Sequence, residues 1–339
     1  MTKIRMIDVA NQAKVSKSTV SQYLNGRYSH MSEKTKEKIR MAVEELNYVP
    51  NPIARSLKSD KTKTIGVIVR DITGFNTSRV LRGIDDFCKQ AGYNVLIYNT
   101  DFDEEIEKRS LLALRQMCVD GIIITSTGKN SDLINQYTSS GYPVVQFQLE
   151  YQHCQTDIVL SDFKQAARQA TEHLIKLGHK RIGFMTQDFE SSVSRKERYL
   201  GYLEALKAHQ IPFEKELLNI WDRKAGFEIS PIEQLHVKNP PTAFFTQHLA
   251  ITVDLLKVLG EYQIEIPQQV SILGFDEIPM VDMFKVPISV IQQNSYQLGV
   301  ESATLLLNRL DKSSDSMEYK KVVVPCQLVK RSSIRMNEL

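Results

Sequence analysis

From about residue 62 onward the chain alternates short apolar runs with longer amphipathic stretches, which leaves few ways to bury its apolar atoms. The runs fall at 64–69, 94–99, 121–126 and 143–147, then at 181–186, 217–221, 243–246 and 271–275. Amphipathic segments such as 80–90, 104–118, 163–177 and 249–262 lie between them. Runs this short and continuously apolar suit strands covered on both faces, and the helices supply the crossovers that parallel strands need. The expectation is an α/β core of four βα units, twice over, forming two lobes that face each other. Open α/β sheets bind ligands at the carboxyl ends of their strands, so a cleft between the lobes is the expected binding place.

The first 60 residues follow a different pattern. Ile7-Asp8-Val9-Ala10 opens a short amphipathic helix, Lys14-Val15-Ser16 makes a tight turn, and a second helix runs from Lys17 to Asn25. This is the grammar of a helix-turn-helix. Val20 and Leu24, four apart, face a small core, while Lys17, Ser18, Ser21 and Gln22 point outward with Thr19 beside them, as a helix in a major groove requires. Ser32 caps a third helix whose Ile39, Val43 and Leu46 recur at helical spacing. His30, in the loop before it, completes the candidate DNA contacts. An ordinary three-helix bundle is the alternative. Against it stands charge: residues 1–60 carry 11 Lys and Arg against 6 Asp and Glu, a balance of +5 in a chain of formal net charge +3. The basic excess therefore belongs to the head, where phosphates would need it.

Residues 51–61 read as a hinge. Asn51 suits an N-cap and Pro52 the first helical position, yet Ser59-Asp60-Lys61 ends the helix after less than two turns. A helix so short is marginal alone. With Leu57 as an apolar wedge and Ala54 and Arg55 beside it, it fits a DNA minor groove, where such side chains separate base steps. A plain linker is the alternative.

These segments resemble the LacI/GalR, or lactose-repressor, family of bacterial transcription regulators. IDVANQAKVSKSTVSQYLNG (7–26) is similar to the family's N-terminal signature, and ELNYVPNPIARSLK (45–58) to its third-helix exit and hinge helix. HLIKLGHKRIGF (173–184), SILGFDE (271–277) and LVKRSS (328–333) fall at the expected places. The resemblance implies an all-α helix-turn-helix head (1–50), a hinge helix and linker (51–61), and a two-lobed periplasmic-binding-protein-like α/β core (62–339). It also implies three strands crossing between the lobes, the last near residues 290–293. Gln22 departs from the Arg or His of many members, and the NGRYSHMSEKT loop is one residue longer than in several, so the operator sequence cannot be borrowed.

Several function classes are disfavoured. No run approaches the ~20 apolar residues of a membrane span, and MTKIRMIDVA lacks the apolar region of a secretory signal, so a cytoplasmic protein is expected. Cys88, Cys118, Cys154 and Cys326 form no CxxC and meet no His cluster, which points to free thiols rather than disulfides or a metal. An α/β enzyme would want GxGxxG after the first strand, where Val69-Arg70-Asp71-Ile72-Thr73-Gly74-Phe75 offers one glycine, or GxxxxGK, which Gly128-Lys129-Asn130 does not satisfy. His179, His209 and His236 have no nucleophile or paired carboxylate near them in sequence. No catalytic residue and no cofactor is expected.

Through the resemblance the cleft can be read residue by residue. Arg198, before the Gly-Tyr pair in SSVSRKERYLGYLEAL (191–206), takes the place of the family's effector-binding arginine, a rigid donor fork; a helix-surface arginine is the alternative. Trp221, the only tryptophan, matches an aromatic that stacks on sugar faces, with a core tryptophan as the alternative. Asp276 matches the residue that accepts sugar hydroxyls. Gln148 stands in place of a usual aspartate, His248 and Leu249 in place of Asn-Asp, and Asn76 and Thr77 in place of two aromatics. Fewer acceptor carboxylates beside Arg198 and His248 favour an anion over a neutral sugar. A sugar acid is the expected effector. The chain resembles in particular the repressors of 2-keto-3-deoxygluconate genes. The expectation is a homodimeric repressor of carbohydrate catabolism on near-palindromic operator DNA, released by its effector. A co-repressor-dependent regulator or a free sugar-binding protein is the alternative.

Overall fold

Two serines begin the helices that shape the head. The computed structural model describes residues 4–49, 61–151, 154–188, 192–311 and 318–337, and the chain divides into two units between Thr62 and Lys63. In the first unit α1 (Met6–Ala13) ends at Lys14, whose left-handed backbone turns the chain. The Ser16 hydroxyl then accepts the Thr19 amide at 3.1 Å to start α2 (Lys17–Leu24), and the Ser32 hydroxyl accepts the Thr35 amide at 3.2 Å to start α3 (Glu33–Glu45). Each cap satisfies an otherwise unpaired donor, worth about 1 kcal/mol. Val9, Ala10, Ala13, Val20, Ile39, Ala42 and Tyr48 form the buried centre. Val43 and Leu46 pack only at its margin, and Tyr48, just after the helix, closes it. The hinge residues 51–60, with Ala54, Arg55 and Leu57, lie outside the described residues.

In the second unit the chain runs β1 (Thr64–Val69), α4 (Phe75–Gln90), β2 (Asn94–Asn99), α5 (Glu104–Gln116), β3 (Gly121–Ile124), α6 (Ser131–Ser139), β4 (Val144–Phe147) and β5 (Asp157–Ser161). It continues through α7 (Phe163–Lys176), β6 (Ile182–Thr186), α8 (Val193–Ala208), β7 (Leu218–Asp222), β8 (Gly226–Phe227) and α9 (Pro231–Leu235). It then passes through β9 (Ala243–Thr246), α10 (Leu249–Glu261), β10 (Ser271–Phe275), β11 (Ser289–Gln293), α11 (Ser295–Leu310), β12 (Lys321–Val324) and β13 (Cys326–Val329). One sheet has the order β12-β5-β4-β3-β1-β2 and is wholly parallel. The other has the order β13-β11-β10-β9-β6-β7-β8 and is parallel except for β13 and β8. Strands β3 to β6, β9 and β10 are buried along their whole length, as strands covered by helices on both faces should be.

Three passages join the lobes. β5 belongs to the first sheet and runs into α7 of the second lobe; β11 belongs to the second and runs into α11, which packs on the first. The last passage is at Pro325, between β12 and β13. This corrects the expectation that the final crossing lies near 290–293, which is the second. Proline cannot donate to a strand ladder, so the extended run 321–329 breaks there and its halves join different sheets.

In each lobe a helix pair comes into close contact at a glycine. A Cβ on Gly299 of α11 would stand 2.1 Å from the Val80 carbonyl of α4, and one on Gly83 would stand 2.2 Å from the Tyr296 carbonyl. In the second lobe a Cβ on Gly201 of α8 would meet the Lys164 carbonyl of α7 at 2.1 Å. Any side chain there would force the helices apart. The contact on α8 holds Arg198, three residues earlier, against the strand ends.

Candidate functional site

The exposed face of α2 is polar. Lys17, Ser18 and Gln22 are exposed, Ser21 is half-buried, and His30 is exposed in the loop before α3. Thr19 is half-buried because its hydroxyl bonds the Ser16 cap at 2.7 Å, so it shapes the helix start as well as lining its face. Lys36 lies over the exposed ring of Tyr28 at 4.9 Å, adding a basic aromatic corner that helical periodicity does not show.

In the second unit the strand ends of both sheets carry polar side chains. Arg198 is 7% exposed, with its guanidinium 4.1 Å from the Phe163 ring centre and 4.4 Å from that of Phe275. Among the described residues its Nε has no hydrogen-bond partner and no carboxylate lies within ion-pair distance. Burial pulls its pKa down to about 10, only partly opposed by Asp276. A buried cation without an anion is costly, and two aromatic faces offset only part of that cost.

Asp276 and Gln148 occupy corresponding places, one residue after β10 and β4, and both have left-handed backbones, φ 80° and 67°. Side chains other than glycine adopt that conformation at a cost, which is often borne where a group must be aimed. The buried Asp276 carboxylate accepts Gln293 Nε2 at 2.5 Å, and Gln293 Oε1 accepts the Ser161 hydroxyl at 2.6 Å. The chain Asp276–Gln293–Ser161 thereby ties the site to the ends of crossover strands β11 and β5. Gln148 touches the other lobe through its carbonyl, which accepts the Ser194 hydroxyl at 3.1 Å. Asn76, at the start of α4, accepts the Ser295 hydroxyl at 3.0 Å through Oδ1.

His248 caps α10: its Nδ1 accepts the Ala250 amide at 3.2 Å, which leaves Nε2–H as the free donor of the neutral ring. Burial lowers its pKa; Asp276 opposes this, while Arg198, Arg223 and Arg195 reinforce it. Trp221 lies elsewhere in function. It is 3% exposed in the second lobe's core with Met185, Ile232 and Phe244, and its Nε1 donates to Asp254 at 2.8 Å. An indole so enclosed presents no free face for a sugar, so the core alternative describes it.

Three arginines escaped the sequence reading. Arg70 follows β1, Arg195 lies in the first turn of α8, and Arg223 follows β7. Arg70 and Arg223 lie over the same Phe102 ring at 5.0 and 5.4 Å. The signal was available in principle, since a charged residue just past a strand's carboxyl end belongs to the binding edge of an α/β sheet. Among the described residues no three His, Cys, Asp or Glu side chains are grouped to hold a metal.

A helix-turn-helix unit and, in the second unit, a polar, cationic cleft between two α/β lobes invite comparison with known proteins. Residues 5–51 match the family model described as bacterial regulatory proteins of the lacI family, and residues 62–332 match that of periplasmic binding proteins and the sugar binding domain of the LacI family. The chain belongs to the LacI family. This LacI-family regulator is 36% identical over 324 residues to the probable HTH-type transcriptional regulator EndR of Paenibacillus polymyxa, covering 94% of each chain. It is 27% identical over 329 residues to the HTH-type transcriptional regulator KdgR of Bacillus subtilis, covering 96% of each. In structure it is similar to the Lac repressor dimer bound to operator and the anti-inducer ONPF, with TM-score 0.84 and 25% identity over 98% of this chain and 100% of that one. It is therefore a transcriptional regulator with a DNA-binding and an effector-binding region, in a family of regulators rather than enzymes. Among its described residues no helix is long and apolar enough to cross a membrane.

Proposed function

We propose that this LacI-family regulator is a cytoplasmic, homodimeric repressor of carbohydrate catabolism genes whose effector is a sugar acid. Two heads place α2 in successive major grooves of a near-palindromic operator, with Lys17, Ser18, Thr19, Ser21, Gln22 and His30 on the DNA. Paired hinge segments, with Ala54, Arg55 and Leu57, wedge the central minor groove. The Lac repressor dimer on its operator supports that assembly. The effector lies between the lobes against Arg198, His248, Asp276, Gln148 and Asn76, with Trp221 bracing the wall from behind.

The observation that carries the acid is Arg198: buried, stacked between two rings, with a bare Nε. A carboxylate supplies the missing partner, His248 Nε2–H a second donor, and Asp276 an acceptor for a hydroxyl. The resemblance of the sequence to repressors of 2-keto-3-deoxygluconate genes makes that compound the first acid to test. Closure on the acid moves the lobes and releases the head. A hundredfold tighter grip on the released conformation corresponds to about 2.7 kcal/mol of coupling.

The test is titration calorimetry and operator binding with 2-keto-3-deoxygluconate, gluconate and glucose. The acids are expected to bind and to weaken the operator complex, and Arg198→Ala to lose about 2 to 5 kcal/mol of acid binding while still binding operator. Preference for glucose over the acids, or a normal response from Arg198→Ala, would overturn the reading.

A further inference from the structure

Resting on the acid-binding reading above, we propose that the effector is a carbohydrate carrying two anionic groups, the second held at the mouth of the cleft by Arg70, Arg195 and Arg223. Arg70 comes from the first lobe and the other two from the second. The guanidiniums of Arg70 and Arg223 share the half-exposed Phe102 ring, at 5.0 and 5.4 Å. All three lie within electrostatic reach of one another, and the Tyr151 phenol lies beside Arg70 and Arg195. Among the described residues none of the three is ion-paired.

Among the described residues the carboxylates that reach this group are occupied or offset. Glu107 is buried and accepts from Ser126 and Asn130 at 3.0 Å and from the Thr127 amide at 2.6 Å. Asp188 meets Arg195 through its backbone carbonyl, at 2.9 Å, and its carboxylate acts on Arg195 only through space. Three guanidiniums thus come together from two lobes without a bonded counter-ion among the described residues, an arrangement that repels itself when empty and attracts an anion strongly. Guanidinium forks match the paired oxygens of a carboxylate or phosphate, and one anion touching Arg70 and Arg223 would draw the lobes together.

The geometry separates this place from the one at Arg198. Arg195 and Arg198 lie three residues apart on α8, about 5 Å along the helix axis. Arg198 points into the buried pair Phe163 and Phe275, whereas the Arg195 group gathers at Phe102 and Tyr151. The two anionic groups therefore belong at opposite ends of a five- or six-carbon chain and not on adjacent atoms.

Calorimetry on the full chain would use gluconate, with one carboxylate, against glucarate, with two, and 6-phosphogluconate, with a carboxylate and a phosphate. Glucarate or 6-phosphogluconate is expected to bind at least tenfold more tightly than gluconate. The tighter of the two identifies the second group as carboxylate or phosphate. Arg70→Gln and Arg223→Gln should each cut that ratio at least fivefold, while Arg82→Gln, which removes the same charge from an exposed helix face, leaves it unchanged. Arg223 is exposed, so its variant reads the ratio even if Arg70→Gln does not fold. Equal binding of gluconate and both doubly charged acids overturns this inference and leaves the Arg198 reading standing. A preference that neither variant diminishes overturns the placement. Failure of every acid to bind overturns both readings.

Discussion

Replacing Arg198 by methionine should stabilise the effector-free core while abolishing its response to the acid. Burial pulls the guanidinium pKa well below its ordinary value, to about 10, so the charged form is disfavoured in the folded core. At about 1.4 kcal/mol per unit this is a penalty on the order of 3 kcal/mol. It is fully present at every pH below 10 and fades only as the pH rises from there toward the ordinary guanidinium value, so it applies throughout the neutral range. The rings of Phe163 and Phe275 return roughly 0.5 to 2 kcal/mol of it through cation–π attraction. Methionine keeps contact with both rings through its thioether and fills much of the same volume without a charge. The net expectation is a gain of about 1 to 2 kcal/mol, hence a rise of roughly 2 to 6 °C in the core transition. Scanning calorimetry of wild type and Arg198→Met, each with and without gluconate, makes the comparison. A variant that melts well below the wild type without ligand would show that the guanidinium is structurally satisfied, and the argument for a bare cation awaiting an anion would fail. Such an exchange of stability for function is common where a site holds groups that only its ligand completes.

Three further outcomes are expected. Gln22→Ala should cost about 1 to 3 kcal/mol at one base pair of each half-site, while Lys17→Ala should weaken all sequences alike and flatten the salt dependence; fluorescence anisotropy on operator and scrambled DNA separates them, and equal losses on both for Gln22→Ala would remove it from base reading. Because burial lowers the His248 pKa, its ring is neutral above about 6.5, and an anion beside it favours the charged form. Acid binding should then take up a proton and tighten as the pH falls from 7.5 to 5.5, whereas the stability of the ligand-free core should decline as the pH falls below 6.5; calorimetry in buffers of different ionisation enthalpy measures the uptake, and proton release on binding would contradict it. Arg309 donates to both oxygens of the buried Asp157 at 2.7 and 2.9 Å, so Arg309→Ala should strand that carboxylate and cost about 3 to 5 kcal/mol in urea unfolding, a loss under 1 kcal/mol showing that the Lys320 amide suffices.

Much of this protein was legible without coordinates because its signals are local. Strands β1, β9 and β10 have the bounds that their apolar runs suggest, since a buried parallel strand is written as a continuous run ended by polar residues, and the edge strand β2 keeps the bounds of its run although it is largely exposed. The α2 and α3 caps are written at Ser16 and Ser32. Helix α4 begins at Phe75, five residues before the amphipathic run at 80–90, because after Phe75 its first turn is polar and lacks the apolar spacing, with Gly74 rather than a side-chain cap before it. Strands β5, β12 and β13 escaped notice. Each takes its place from a neighbour in its sheet and not from its own periodicity, and β12 and β13 part at Pro325.

The binding cleft divides along the same line. Arg198, Asp276 and His248 could be named from short motifs, because each lies just past a strand or within one helix turn of a recognisable segment. What the residues do there was decided only by folding. Trp221 looks the same in sequence whether it faces a ligand or a core, and Asp254, 33 positions away, settles its indole. Gln293 matters because β11 brings it between Asp276 and Ser161. Arg70 and Arg223 are separated by more than a hundred residues and two lobes, yet share one phenylalanine ring. A sequence determines which groups it contains and which local structure each prefers; the charge that another group feels depends on distance and burial, and those exist only once the lobes have folded together.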